Sequence, residues 1–154
     1  MKDKESHRIA VTCIIYNKKG QYLVTKRSPN KKVHPNKWTV PGGGLTIDDY
    51  ITTKPSHDDQ WYGVLEKALR REIMEEVNVD VGIPSFLLDL AFVRPDGIPV
   101  VVLSYYALYV SGEVKLDQDA VDHGWFTLDE VRKLDMLSGM IEEIEMVDTI
   151  LKKK

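Results

Sequence analysis

The sequence predicts one domain of the α+β class with a mixed central sheet. Apolar, β-branched segments occur both before and after a single strongly periodic helix, a second amphipathic helix closes the chain, and no segment repeats. The length of 154 residues suits one domain, and 43% hydrophobic with 29% charged residues argues against a disordered chain. We therefore expect residues 1–154 to fold as a single unit.

The first part of the chain alternates predicted strands with turns. Residues 8–16 are apolar and β-branched, and residues 21–26 form a second such segment after the turn at 17–20, which predicts a hairpin. Residues 38–40 then form a short strand. This strand ends at the segment 41–44, which reads Pro-Gly-Gly-Gly.

A central helix is predicted over about residues 61–77, after a mostly polar loop at 45–60. Its apolar side chains recur every four residues, at Leu65, Leu69, Ile73 and Val77. We expect Asn78 to end the helix, because asparagine tolerates the left-handed conformation found at helix C-termini.

The second part of the chain returns to strands and closes with helices. Residues 86–93 and 100–110 are predicted strands, and a short strand follows around Trp125. A capping pattern predicts a short helix at 127–133, and apolar periodicity predicts a last helix over about 138–151.

Composition narrows the possible partners and location. The sum of 21 basic and 24 acidic residues gives a net charge of −3, which argues against binding a nucleic acid polymer through a broad basic surface. No apolar run of about 18 residues predicts a membrane span, and the polar N-terminus lacks the apolar core of a signal peptide. We therefore expect a cytoplasmic protein, with the single cysteine, Cys13, as a buried structural thiol.

The end of the central helix carries three carboxylates on one face. Glu72, Glu75 and Glu76 fall within a sector about 100° wide, and each like-charge pair costs roughly 0.2–0.5 kcal/mol. One interpretation is a solvated acidic surface. However, the same sector carries the apolar Leu65 and Leu69 at earlier turns, which favours a helix that leaves the core and enters a cleft. Hard oxygen ligands without a Cys or His set suit Mg²⁺ or Mn²⁺.

At these residues the sequence resembles the Nudix (MutT-like) hydrolases, whose signature is G-x5-E-x7-R-E-U-x-E-E-x-G-U with U aliphatic. Residues 71–79 match its second half, except that Asn78 replaces a glycine. The segments at 38–44 and 124–131 are also similar to the family segments that precede and follow this box. The resemblance covers about residues 8–133 and implies an α/β/α sandwich around a mixed sheet.

The resemblance implies hydrolysis of a nucleoside diphosphate linked to a moiety X, giving NMP and P-X. The substrate would be a nucleotide or nucleotide derivative, and the cofactor Mg²⁺, with Mn²⁺ possible. Metal ligands implied by position are Gly43, through its carbonyl, Glu72, Glu75 and Glu76. Arg71 would orient the first glutamate.

Further site residues are implied outside the helix. Asp119 matches an acid that many members place on a later loop, and Asp122 is the next choice. Candidates for substrate contacts lie before and within the glycine-containing segment: Arg27, Lys37 and Trp38.

Two departures from the family pattern affect the first half of the box. Gly63 occupies the place of the box glutamate, eight residues before Arg71, and positions 44 to 62 give nineteen residues where the pattern has five. We consider Glu66, Asp58 or Asp59 as alternative partners for Arg71. The insertion, about residues 45–60 and followed by Trp61 and Tyr62, has two interpretations. It is either a lid beside the substrate, with an aromatic side chain stacking on a base, or a polar surface excursion whose two aromatic residues anchor the helix to the core.

The function we expect from the sequence is a nucleoside triphosphate pyrophosphohydrolase of the MutT type. An ADP-ribose or nucleotide-sugar pyrophosphatase is an alternative, as is a non-catalytic nucleotide-binding Nudix module. Such modules usually lose box carboxylates, whereas this chain keeps all three. We expect a monomer or a homodimer.

Overall fold

The computed structural model describes residues 3–154, which form eight strands and three α-helices. The strands are β1 (Arg8–Tyr16), β2 (Tyr22–Arg27), β3 (Trp38–Thr39), β4 (Gly42–Gly44), β5 (Asp80–Val81), β6 (Ser85–Val93), β7 (Pro99–Ser111) and β8 (Ala120–Phe126). The helices are α1 (Val64–Val77), α2 (Leu128–Val131) and α3 (Met140–Lys152), and a short 3₁₀ helix spans Ile47–Asp49.

The sheet is mixed, as expected. At its centre β1 runs parallel to β7 over its whole length and antiparallel to β2 and β4. The strands β8 and β3 extend the sheet beyond β2, while β6 and β5 pair with β7. The segment that becomes β1 is a continuous apolar run, which suits a strand covered on both faces.

Helices cover both faces of this sheet, which confirms the expected three layers. Side chains of a strand alternate between faces, so Val11 and Cys13 of β1 pack in the core beneath α1, whereas Ile14 packs on the side of α3. Burial raises the pKa of the Cys13 thiol to about 12, as expected for a structural thiol.

The central helix begins later than the periodicity indicates. Gly63 precedes it with a left-handed φ of 69°, and the indole of Trp61 donates to the carbonyl of Thr53, so Trp61 belongs to the insertion. At the other end Asn78 adopts a φ of 61°, and its N–H bonds the carbonyls of Ile73 and Met74, which confirms the expected helix end.

Several strand boundaries differ from those expected. The glycine segment is itself a strand, β4, because Gly42, Gly43 and Gly44 pair with β1. The strand around Trp125 is longer than expected, since β8 pairs with all of β2 despite its polar residues. The two-residue β5 was not predicted. It is held to α1 by Arg70, whose guanidinium donates to two carbonyls of the 81–82 segment at 2.9 and 3.1 Å.

The closing helices agree with the sequence within two residues at each end. Thr127 caps α2, accepting from the N–H of Glu130 while the Glu130 carboxylate accepts from the N–H of Thr127 at 2.9 Å. Among residues 3–154, no helix combines the length and apolarity needed to cross a bilayer.

Candidate active site

A cleft of about 460 Å³ opens between β1, the glycine strand β4 and the acidic end of α1. Its charged lining residues come from four parts of the chain and divide into two groups. The acids are Glu72, Glu76, Asp117 and Asp119, and the bases are Arg8, Arg27 and Lys31. The cleft therefore presents carboxylates and cations to the same volume.

The glycines of β4 let the cleft walls approach each other closely. A Cβ atom on Gly43 would overlap the carboxylate of Glu72, and one on Gly44 would overlap the guanidinium of Arg8. The N–H of Gly42 donates to the Glu76 carboxylate at 3.4 Å. The absence of side chains on β4 is therefore what allows both glutamates to lie against the backbone.

Glu72 and Glu76 lie one helical turn apart and face the same volume. Burial and the neighbouring Glu72 carboxylate raise the pKa of Glu76 to about 8. A divalent cation between these groups would relieve their repulsion, and their oxygen ligands are those that Mg²⁺ and Mn²⁺ prefer. The donor set and the close backbone therefore fit a hard divalent cation.

Glu75, the third expected ligand, is oriented differently. Its side chain is 57% exposed and accepts from Arg71 at 3.2 Å. As a result, no three Asp, Glu, His or Cys side chains of the described residues 3–154 converge as a metal-binding group.

Arg71 connects three parts of the site. It forms a two-pronged ion pair with Asp49 of the insertion, its Nη2 donates to the carbonyl of Gly44 at 3.0 Å, and its Nη1 donates to Glu72 at 2.8 Å. The Asp49 side chain is only 2% exposed. Arg71 thus ties the insertion and the glycine strand to the first box glutamate.

None of the partners that the sequence suggested for Arg71 holds it. Glu66 pairs with Arg70, and Asp58 pairs with His57, because both lie on the outer surface of the protein. Asp59 is also exposed. Asp49 was missed, although the pattern Thr46-x-x-Asp49 is a capping signal that predicts an ordered turn there.

The aromatic residues of the insertion neither close over the cleft nor anchor the helix to the core. Trp61 packs on Tyr50, with ring centroids 5.4 Å apart, and Tyr62 is 61% exposed. The insertion therefore folds on itself and reaches the site through Asp49.

Only one of the three residues expected to contact substrate lines the cleft. Arg27 lines the cleft, where its guanidinium donates to the carbonyls of Val33 and His34. Lys37 instead pairs with Asp135 at 2.7 Å, and Trp38 packs edge-on against Phe126. Neither Lys37 nor Trp38 is among the cleft residues.

The later loop contributes two acids to the cleft. Asp119 lies there, paired with Lys31 at 3.2 Å, and its carbonyl accepts from the N–H of Ser28. Asp117, which the sequence analysis did not select, also lines the cleft and adds to the raised pKa of Glu76. Asp122 lies on β8 opposite Lys26 and is not a lining residue.

A side cavity of about 430 Å³ adjoins the cleft, and Thr12 and Thr39 line both volumes. Its other walls are mainly apolar, with a few polar groups: His34, Leu90, Phe92, Val102, Leu137, Ser138, Met140 and Glu143. Thr12 Oγ1 is buried and has no hydrogen-bond partner among the described residues. Sequence reasoning missed this cavity because its walls come from distant segments.

The buried Glu143 is the one carboxyl of this side cavity. It is 5% exposed and accepts a hydrogen bond from the Ser104 hydroxyl at 2.5 Å. Burial raises its pKa above the ordinary range.

The observed fold, a three-layer sandwich around a mixed sheet, is the one that the sequence resemblance implies. The model of the NUDIX domain matches residues 6–145, and the chain therefore belongs to the Nudix family of pyrophosphohydrolases. Members of this family generally use divalent metal ions.

Three individual proteins illustrate the similarity. Nucleoside triphosphatase NudI of Escherichia coli (strain K12) is 24% identical over 136 residues, which span 82% of this chain and 86% of NudI. The crystal structure of a MutT protein from Methanosarcina mazei Go1 superposes with a TM-score of 0.71 at 22% identity, covering 99% of this chain and 100% of that one. The NUDIX domain of Shewanella oneidensis NrtR, solved with ADP ribose, gives a TM-score of 0.71 at 19% identity, covering 97% and 94%.

Proposed function

We propose that this chain acts as one Nudix domain that hydrolyses nucleoside triphosphates to NMP and pyrophosphate with Mg²⁺, or Mn²⁺, as cofactor. The proposal rests on one observation. Glu72 and Glu76 line the same cleft as three basic side chains, those of Arg8, Arg27 and Lys31. A triphosphate needs cationic contacts along its length and a metal site at the bond to be cleaved. The similarity to NudI of Escherichia coli, a nucleoside triphosphatase, supports the same substrate class.

The metal ligands in this proposal are Glu72, Glu76 and the carbonyl of Gly43. Glu75 completes the set if its side chain turns away from Arg71, a rotation that its exposure permits. When bound, a divalent cation neutralises phosphate charge and lowers the pKa of bound water.

The remaining charged residues of the cleft act on the substrate directly. Arg8, Arg27 and Lys31 bind phosphate oxygens. The Arg8 guanidinium offers paired donors suited to phosphate, whereas two nitrogens of Arg27 already donate to backbone carbonyls. Asp119, which pairs with Lys31, is the proposed acidic residue of the later loop. Its carboxylate acts as the general base and accepts a proton from the attacking water.

The side cavity is the proposed site of the nucleoside. Phe92, 49% exposed, offers a ring face for a base, and the buried hydroxyl of Thr12 at the boundary offers an unused donor and acceptor. An apolar cavity beside a charged cleft suits a ligand with a flat ring at one end and phosphates at the other. Free nucleotides of the cytoplasm, rather than a nucleic acid polymer, are the substrates we propose.

ADP-ribose hydrolysis is the second candidate. The side cavity and the cleft share the wall formed by Thr12 and Thr39, so a diphosphate in the cleft leaves room on one side for a nucleoside. The similarity of the fold to a NUDIX domain solved with ADP ribose is the reason to consider this second substrate.

Product analysis distinguishes these functions. The purified protein is incubated with Mg²⁺ or Mn²⁺ and a panel of nucleoside triphosphates, ADP-ribose and nucleotide sugars, and the products are separated by anion exchange. The proposal predicts NMP and pyrophosphate from triphosphates. Release of NDP and phosphate, or turnover of ADP-ribose alone, would overturn it.

A further inference from the structure

Glu143 is a buried carboxyl that the proposed reaction leaves unused. It lies in the first turn of α3, lines the side cavity and is 5% exposed. Its Oε1 accepts from the Ser104 hydroxyl, whereas its Oε2 has no hydrogen-bond partner among residues 3–154. Burial raises the pKa of this carboxyl, and the neighbouring charge of Glu142 adds to the effect. Since a buried carboxylate needs donors or a cation, half of this group lacks what it needs.

The unpartnered oxygen of Glu143 faces the side cavity. In the described part of the chain, Thr12 Oγ1 is the one side-chain polar atom that is both fully enclosed and without a partner. Glu143 Oε2 also lacks a partner, so it retains some accessible surface. The space beside it is the side cavity. A ligand in this cavity therefore has access to Oε2, while the bond to Ser104 fixes the orientation of the carboxyl.

The surroundings of Glu143 form a polar cluster in a mostly apolar layer. Thr12 of β1 and Ser104 of β7 are register partners in neighbouring strands, so their side chains lie on the same face of the sheet. That face packs against α3 through hydrophobic residues such as Ile14 and Met140. Packing alone does not require two hydroxyls and a carboxyl there, because burying polar groups costs free energy unless they find partners. The cluster therefore indicates a polar ligand at the inner end of the cavity.

The chemistry of the carboxylate selects one class of base. Ionised carboxylate oxygens accept hydrogen bonds and cannot donate, so the ligand edge that meets Glu143 must carry N–H donors. Guanine has two adjacent donors on its pairing edge, N1–H and the 2-amino group. Adenine, cytosine, uracil and thymine each place an acceptor beside every donor on that edge. Two adjacent donors suit a carboxylate, because hydrogen bonds to a charged acceptor are stronger than neutral ones.

We propose that Glu143 is a specificity-determining residue of the side cavity: its carboxylate accepts hydrogen bonds from N1–H and the 2-amino group of a guanine base, so guanine nucleotides are the preferred substrates. This inference rests on the proposed function for its consequence in turnover, and it deepens that function by naming the base. Its consequence for binding is independent of hydrolysis. The competing role is structural, with the Ser104–Glu143 hydrogen bond only tying α3 to β7.

The first test compares two ligands on the wild-type protein. Guanosine monophosphate (GMP) and inosine monophosphate (IMP) differ only in the 2-amino group, which IMP lacks. Their dissociation constants are measured by calorimetry with Mg²⁺ present, and the shared phosphate cancels in the ratio. We expect GMP to bind about tenfold more tightly or better, as for a hydrogen bond to a charged group. Equal affinities, or no detectable binding of GMP, would overturn the proposal.

The second test compares Glu143→Gln with Glu142→Gln. The glutamine at 143 keeps an oxygen for the Ser104 hydroxyl but replaces the other oxygen by an amino group, which cannot accept from guanine. We expect its GMP-to-IMP affinity ratio to fall to within about twofold of unity. Glu142 is exposed on the same turn, so its variant removes the same charge and should keep the wild-type ratio. A purely structural role would lower the melting temperature of Glu143→Gln and leave the ratio of the folded protein unchanged, which would overturn the proposal.

Turnover separates this inference from the proposed function. Pyrophosphate release from GTP and from ITP is measured on the wild type beside the binding ratio. Preference for GMP without any release from GTP would refute the proposed function and leave the role of Glu143 supported. Equal turnover of GTP and ITP together with equal binding of GMP and IMP would refute the role of Glu143 alone. The wild-type comparison needs no variant, so it decides the proposal even if Glu143→Gln does not fold.

Discussion

Asp49 and Arg71 lie 22 residues apart in the chain and form a two-pronged ion pair beside the acidic end of α1. Asp49 comes from the insertion and Arg71 from α1, so the pair joins the insertion to the helix that carries Glu72 and Glu76. The pair is largely enclosed, since Asp49 is 2% and Arg71 30% exposed at the side chain.

This pair should contribute measurably to stability. A double-mutant cycle of Asp49→Asn and Arg71→Gln, measured by urea unfolding, should give a coupling energy of about 2 kcal/mol, within the roughly 0.5–3 kcal/mol of contacting residues. The exposed pair Arg132–Asp129 is the control and should give less than about 0.5 kcal/mol. Arg71 lowers the pKa of Asp49, so this contribution is present above the unfolded pKa and is lost as the pH falls through the folded one. Equal coupling in the two pairs would contradict the prediction.

The raised pKa of Glu76 predicts how the metal-free protein responds to pH. The pKa of Glu76 is about 8 in the folded protein and near its ordinary value in the unfolded chain. At pH values between these two, the folded state therefore binds more protons than the unfolded state. Stability should therefore decrease as the pH rises from about 4.5 to 8, lowering the melting temperature by roughly 3–5 °C per pH unit.

The control for this prediction is Glu76→Gln, which removes the titrating group. Its melting temperature in chelator should change less with pH than that of the wild type. Mn²⁺ binding by the wild type should strengthen over the same range, because the metal displaces a proton. Parallel melting curves for the two proteins would refute the assignment.

A side chain on the glycine strand should disrupt the site. Gly43→Ala places a methyl group where the Glu72 carboxylate lies, so we expect kcat to fall roughly 10- to 100-fold through displacement of this ligand. In Gly82→Ala the nearest atom to the added carbon is the Leu108 carbonyl oxygen at 3.8 Å, and we expect activity within about twofold of the wild type. Steady-state kinetics with saturating Mg²⁺ compares the two, and equal activities would contradict the close packing.

The side cavity should determine affinity for the base. Phe92→Ala should raise KM for the nucleotide about tenfold with little change in kcat, because base stacking contributes roughly 1–3 kcal/mol. Val93→Ala is the control, since Val93 is 68% exposed on the same strand but does not line the cavity. An unchanged KM in Phe92→Ala would place the nucleoside elsewhere.

The sequence predicts most of the fold because its signals are local. The period-four apolar residues of α1, the left-handed Asn78 and the continuous apolar run of β1 each follow from the preferences of a few neighbouring residues. The beginning of α1 was misplaced because Trp61 bonds Thr53 within the insertion, a tertiary contact that periodicity does not reveal.

The site was predictable only where it lies on one element. Glu72 and Glu76 face the cleft as their helical spacing indicates, whereas Glu75 turns to Arg71. Contacts between distant segments, such as Asp49 with Arg71, depend on the path of the insertion, and the capping pattern at Thr46 predicts an ordered turn there but not its partner.

The proposed function requires Glu76 to bind the metal that drives triphosphate hydrolysis, so removing its charge should abolish most of the activity. Pyrophosphate release is measured with Mg²⁺ for the wild type, Glu76→Gln and Glu66→Gln, the last being an exposed glutamate of the same helix. We expect turnover to fall about a hundredfold or more in Glu76→Gln, as for removal of a key electrostatic group, and to stay near the wild-type rate in Glu66→Gln. Turnover of Glu76→Gln within a few fold of the wild type would show that Glu76 is not a ligand of the catalytic metal.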